Sequence, residues 1–191
     1  MWIATLWHSE FPLVQWGVAA GAGLIAAATD LHARRIPNWL TGPLLVTGFA
    51  WGVWQGGLSG LADSVAACLA MALPCVLLFL FAGGGAGDAK LMGALGSWLG
   101  LINGGAALAA VSIAGVLLGI GVAIAKGKGR EVAGNITGMV IGWAGAALAH
   151  QAPAIAGGPG PEAPKSQTVP YGVAICAGVW VAGAGMLLWR M

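Results

Sequence analysis

The stretch "LADSVAACLAMALPCVLLFLFA" (Leu61–Ala82) carries a single charged residue, Asp63, and runs straight into "GGGAGDAK" (Gly83–Lys90). About 20 consecutive apolar residues are enough for a helix to cross a ~30 Å hydrocarbon core. The run therefore reads as a transmembrane helix. A carboxylate, Asp88, is kept just beyond its end, and that placement needs a reason.

The rest of the chain has the same character. Of 191 residues, 59% are hydrophobic and only 7% charged, with a mean hydropathy of +0.87. This composition excludes a large soluble domain and points to an integral membrane protein. Glycine is abundant at 34 residues, as suits helices whose backbones approach closely in lipid. The opening "MWIATLWHSEF" lacks a positively charged n-region, so the first apolar segment is expected to stay in the mature protein rather than be removed as a signal peptide. Cys68, Cys75 and Cys176 fall in apolar segments and form no CxxC pair. They read as buried thiols, with no zinc site or disulfide framework. No metal, cofactor or nucleic-acid partner is expected.

Six spans are predicted, at 12–28, 39–56, 61–82, 89–102, 104–125 and 171–189, with "LINGG" (Leu101–Gly105) as the turn between the fourth and fifth. The fold class is all-α: a polytopic membrane protein with one interfacial amphipathic helix. Residues 1–191 form a single membrane-embedded domain, in which 127–168 supplies that helix and a flexible linker. The fourth span is short and requires local thinning or a water-filled cavity. Basic residues gather in cytoplasmic loops. Arg34, Arg35, Lys90, Lys126, Lys128, Arg130 and Lys165 all fall on one side of this layout and Arg190 on the other, which puts the N-terminus outside. In 131–149, Val132, Ile136, Met139, Val140, Trp143 and Ala147 make one helical stripe, opposite Glu131, Asn135 and several glycines. That pattern reads as an interfacial helix, with a seventh span as the alternative. "GGPGPEAPKSQ" (Gly157–Gln167) is a Pro/Gly-rich linker. GxxxG spacings at Gly17/Gly21, Gly96/Gly100, Gly115/Gly119 and Gly134/Gly138 are weak signals in so glycine-rich a chain.

Three carboxylates sit at membrane edges. Asp63, at the outer start of the third span, reads as a charge favoured by its helix N-terminus. Asp30 ends the first span and Asp88 opens the fourth, and the number of crossings between them puts both on the cytoplasmic side. Two close carboxylates resist simultaneous ionisation, so one holds a proton and the other does not. That is the state in which one carboxylate draws a proton from water while the other polarises a scissile carbonyl. The alternative is that both are interfacial caps pairing with Arg34 or Lys90. A proton or cation relay in a small transporter would also use such carboxylates. A third option is a non-catalytic membrane scaffold.

Three elements carry a family resemblance. "GAGDAK" (Gly85–Lys90) resembles the GxGDxK motif of the type IV prepilin peptidases, membrane aspartyl proteases whose shorter GxGD element also occurs in presenilins and signal peptide peptidases. "DLHARRIPN" (Asp30–Asn38) resembles the family's first motif, and "VPYGVAI" (Val169–Ile175) its Pro-Tyr/Phe-Gly element at the start of the last helix. The resemblance covers most of the chain outside 127–168. It implies that Asp30 and Asp88 are the catalytic pair and that Gly85 and Gly87 shape the loop of the second aspartate. It lets Lys90 tune the pair electrostatically, or serve only as an interfacial anchor. Arg34, Arg35 and Asn38 read first as topology anchors and a helix start, then as substrate contacts. Pro37 fixes the start of the second span. Pro170, Tyr171 and Gly172 are placed near the site on the cytoplasmic side, which favours six spans over seven. His32 reads as a solvated loop residue.

The implied activity is an endopeptidase in the cytoplasmic (inner) membrane. It removes the basic leader of prepilins and pseudopilins after a glycine, before their hydrophobic helix. Membrane lipid and the pilus assembly machinery are its other partners. The larger bacterial members carry a CxxC-paired insert and also methylate the new N-terminus; the insert is missing here, so no methyltransferase role is expected. The short form resembles the peptidases of tight-adherence (Flp-type) pilus systems, and archaeal preflagellin peptidases are similar in size.

Overall fold

In the computed structural model, which describes residues 12–82, 85–125, 127 and 171–189, the described elements are all α-helices. They are α1 (Pro12–Ala33), α2 (Asn38–Ala82), α3 (Ala86–Ala125) and α4 (Tyr171–Trp189). Three of them, α2, α3 and α4, are long and apolar enough to cross a membrane. α1 has 22 residues, many of them Ala and Gly, and lies outside that group. It still turns Leu13, Val14, Leu24 and Ile25 outward, exposed. The interfacial helix expected at 131–149, the linker at 157–167, Pro170 and Arg190 lie outside the described residues. The described residues fall into two compact units, 12–115 with 171–189, and 116–125 with Gly127.

α2 and α3 are not straight rods. Gly57 in α2 has φ 57° and ψ −134°, and Gly100 in α3 has φ 73° and ψ 175°. Both conformations belong almost exclusively to glycine. Residues eight apart on a straight helix are separated by ~12 Å along the axis, yet Gly52 and Gly60 meet backbone to backbone. Gly96 and Gly104 likewise both lie against Ala67. Each long helix therefore folds back on itself at its glycine, 38–56 against 58–82 and, within the first unit, 86–99 against 101–115. The break between the fourth and fifth expected segments falls at Gly100, ahead of the predicted "LINGG" turn. The reason is a contact between distant parts of the chain. Asp63 receives the Leu101 N–H at 3.3 Å on each carboxylate oxygen, and this caps the arm that starts there.

The short first arm of α3 is the centre of its unit. Residues 91–97 are buried without interruption, so this stretch of the arm has no face toward lipid. The arm's 14 residues span only ~21 Å, which is tolerable because protein and not lipid surrounds that stretch. Small residues let the neighbours close on it. A Cβ added to Gly96 would lie 2.5 Å from the Ala67 carbonyl oxygen, and one added to Gly93 would lie 3.3 Å from the Cys68 sulfur. Close van der Waals packing of this kind replaces the hydrophobic effect as the force that joins helices in lipid. On another side, the Trp98 indole N–H donates to the Leu44 carbonyl at 2.8 Å, and its ring stacks on Trp51 with centroids 5.4 Å apart.

α4 runs antiparallel to α1. Gly183 faces Trp16, Gly23 faces Cys176 and Gly172 faces Asp30. The same helix meets the second arm of α3, with Gly178 against Val111 and Tyr171 against Gly115. Leu91, Met92, Leu95, Leu99, Met71, Val111, Ile175 and Val179 complete the core.

Candidate active site

Asp30 lies in the last turn of α1, half-buried. An anion at the C-terminal end of its own helix is disfavoured by the macrodipole. Relief comes from a distant element: the Gly172 N–H, in the first turn of α4, donates to Asp30 Oδ2 at 2.8 Å. The bond uses one of the N–H groups that a helix start leaves without an internal partner. Gly172 is buried, and only a glycine allows the approach, since an added Cβ would lie 2.9 Å from Asp30 Cβ and 3.0 Å from Oδ2. Asp30 does act as a cap, then, but for α4 and not for α1.

Asp88 is half-buried in the first turn of α3, where the helix N-terminus favours an anion. Its backbone N–H donates to the Gly85 carbonyl at 3.1 Å. A side chain at Gly85 would crowd the Asp88 carboxylate, with a Cβ 2.7 Å from Oδ2. Gly87 presses against Ile36, where a Cβ would lie 3.2 Å from Ile36 Cβ. The charge of Asp30 reaches the Asp88 carboxyl group. Asp63 belongs to the opposite end of the helices, at the Gly100 turn.

The remaining residues singled out in the sequence divide into those at this end and those that stand apart. Lys90 is exposed and donates from Nζ to Asn38 Oδ1 at 3.1 Å. Pro37 immediately precedes α2, and its carbonyl accepts the Leu40 and Thr41 N–H groups at 3.1 and 3.4 Å, so it marks the helix start as expected. Arg34 has φ 50°, and its N–H closes the end of α1 on the Asp30 carbonyl at 2.9 Å. Arg35 and His32 are exposed. No ion pair joins either aspartate to Arg34, Arg35 or Lys90 among the described residues, so pairing with those cations does not account for the carboxylates. Tyr171 opens α4, half-buried, and rests on Gly115.

Three neighbours of the site were not picked out from the sequence as site residues. Cys75 is buried in the second arm of α2 and lies within reach of the Asp88 charge, as does Tyr171. Ile36 is the surface that Gly87 needs, and Gly115 is the seat of Tyr171. For Gly115 the signal was its GxxxG spacing. Nothing in the local sequence marks Cys75, and Ile36 is marked only as part of "DLHARRIPN"; their place near Asp88 arises only when the helices assemble.

The fold and this cluster define a helical membrane protein with two carboxyl groups gathered at one end of its helices, next to a glycine-shaped loop. The model of the type IV leader peptidase family matches residues 17–124, more than half of the chain, and the chain belongs to that family. The matched region contains Asp30 and Asp88; Tyr171 and Gly172 lie beyond it and join the site through α4. No curated protein and no solved structure shows a match to the chain.

Proposed function

We propose that this protein is an aspartic endopeptidase of the cytoplasmic membrane that removes the leader of type IV, Flp-like prepilins and pseudopilins at the cytoplasmic face. Asp30 and Asp88 are its catalytic pair. The observation that carries the reading is the gathering of these two carboxyl groups at one end of the helices, where the charge of Asp30 reaches Asp88. Membership of the leader peptidase family supplies the substrate class.

One carboxylate takes a proton from the attacking water, while the other, protonated, polarises the scissile carbonyl and then protonates the leaving amine. Gly172 holds one oxygen of Asp30, which leaves Oδ1 for the water. Gly85 has no Cβ to crowd the Asp88 carboxylate, whose Oδ2 would lie 2.7 Å from one.

The test is cleavage of a synthetic prepilin by the purified protein, read as a gel shift. Asp30→Asn and Asp88→Asn should each reduce cleavage by roughly 10²–10⁴-fold. The double variant should be no worse than either single one, because the two groups act in the same step. Asp63→Asn should stay active, since its contacts are at the far end of the helices. Retained cleavage in either single variant would remove that residue from the pair. Ion flux in liposomes without any cleavage would point instead to a proton or cation relay.

A further inference from the structure

Lys90 occupies a poor position for a cation. It is at the start of α3, where the macrodipole disfavours positive charge. It does not offset this by pairing with Asp88, because side chains two residues apart on a helix point to different faces. Its ammonium instead reaches Asn38, 52 residues back in the chain. Asn38 opens α2 directly after Pro37, whose carbonyl takes the first helical N–H groups, so the Asn38 backbone is held in place. Two residues earlier, Ile36 lies against Gly87. The segment that follows α1 therefore touches the start of α3 at two points, Ile36 with Gly87 and Asn38 with Lys90, on either side of Asp88.

We propose that Lys90 is a positioning residue for leader cleavage: its bond to Asn38 ties the start of α2 to the start of α3 and so holds Asp88 in place relative to Asp30. The role rests on the peptidase reading above. Asp30 connects to the same segment from the other direction, since its carbonyl receives the Arg34 N–H at the end of α1. The route from one carboxylate to the other thus runs along residues 30–38 and crosses to α3 through these two contacts. Lys90 touches no reacting atom in this arrangement. It acts through the geometry of Asp88, and a displacement of about 1 Å in a catalytic group can cost about 100-fold in rate.

Steady-state cleavage of a synthetic prepilin by the purified full-length chain tests this. Lys90→Met and Asn38→Leu should each lower kcat by roughly 10- to 100-fold and leave KM unchanged. The double variant should match either single one. Lys90→Arg and Asn38→Asp keep the donor and the acceptor and should retain most of the rate. Asn38→Leu leaves the charge of the chain unaltered, so its loss does not come from altered membrane orientation. A raised KM or a shifted pH profile in Lys90→Met, with Asn38→Leu silent, would make Lys90 a substrate contact or an electrostatic tuner and overturn the positioning role. Wild-type rates in both variants would overturn it while the peptidase reading stands. A wild-type protein that does not cleave at all would remove the peptidase reading, and the positioning role with it.

Discussion

Gly172 shows how much one missing side chain controls at this site. Its N–H reaches Asp30 Oδ2 at 2.8 Å only because no Cβ stands between α4 and α1. Gly172→Ala would push the first turn of α4 away from Asp30, and we expect a loss of about 100-fold in cleavage rate. Gly185→Ala, on the same helix but facing open space, should leave the rate unchanged. Initial rates at equal amounts of folded protein check both. At this scale the two aspartates stand out in the sequence because each sits in a distinctive motif, "DLHARRIPN" and "GAGDAK". The partner of Lys90 was not readable. Nothing near Lys90 in the sequence points to an asparagine 52 residues earlier. Asp63 was half readable. Its alliance with a helix N-terminus was expected, but the N-terminus belongs to the arm after Gly100 and not to its own.

At the scale of elements, the two long helices depend on one glycine each. Backbone like that of Gly57 and Gly100 costs a residue with a Cβ about 1–3 kcal/mol. Gly57→Ala should lose that amount only, since nothing occupies the space beside Gly57. Gly100→Ala should lose more, because its methyl would collide with the Asp63 carboxylate that caps the next arm. Thermal unfolding in detergent should therefore rank Gly100→Ala below Gly57→Ala, and Gly57→Ala below wild type. The opposite order would mean that the Asp63 cap does not define the turn. The sequence points to "LINGG" (Leu101–Gly105) for this reversal. Propensity alone does not place the break. The choice falls to the glycine nearest Asp63, a residue 37 positions earlier in the numbering.

At the scale of the whole molecule, the orientation in the membrane is the outstanding consequence. We expect the end bearing Asp30, Asp88 and Tyr171 to face the cytoplasm and the end bearing Asp63 and Leu101 to face outward. The exposed Arg34, Arg35 and Lys90 gather at the first end, and basic residues are retained on the cytoplasmic side. Single cysteines placed at Arg35 and at the exposed Leu58, in a chain cleared of its own three cysteines, should react with an impermeant thiol reagent from opposite sides. Labelling of a cysteine at Tyr171 only from outside would remove the six-crossing layout and, with it, the place of α4 at the site.

The sequence by itself determined that the chain is helical and apolar enough for a membrane, roughly where its helices lie, and which two carboxylates are out of place at the ends of such helices. These are local properties: they follow from runs of residues and from the high cost of exposing polar backbone to lipid. Only the tertiary structure decided that the short first arm of α3 is the buried centre, that α4 brings Gly172 to Asp30, and that Lys90 bonds to Asn38. The reason lies in how helices associate in lipid. With no hydrophobic effect to favour one pairing over another, the arrangement is selected by close contacts between small residues and by single hydrogen bonds, and both depend on residues far apart in the chain.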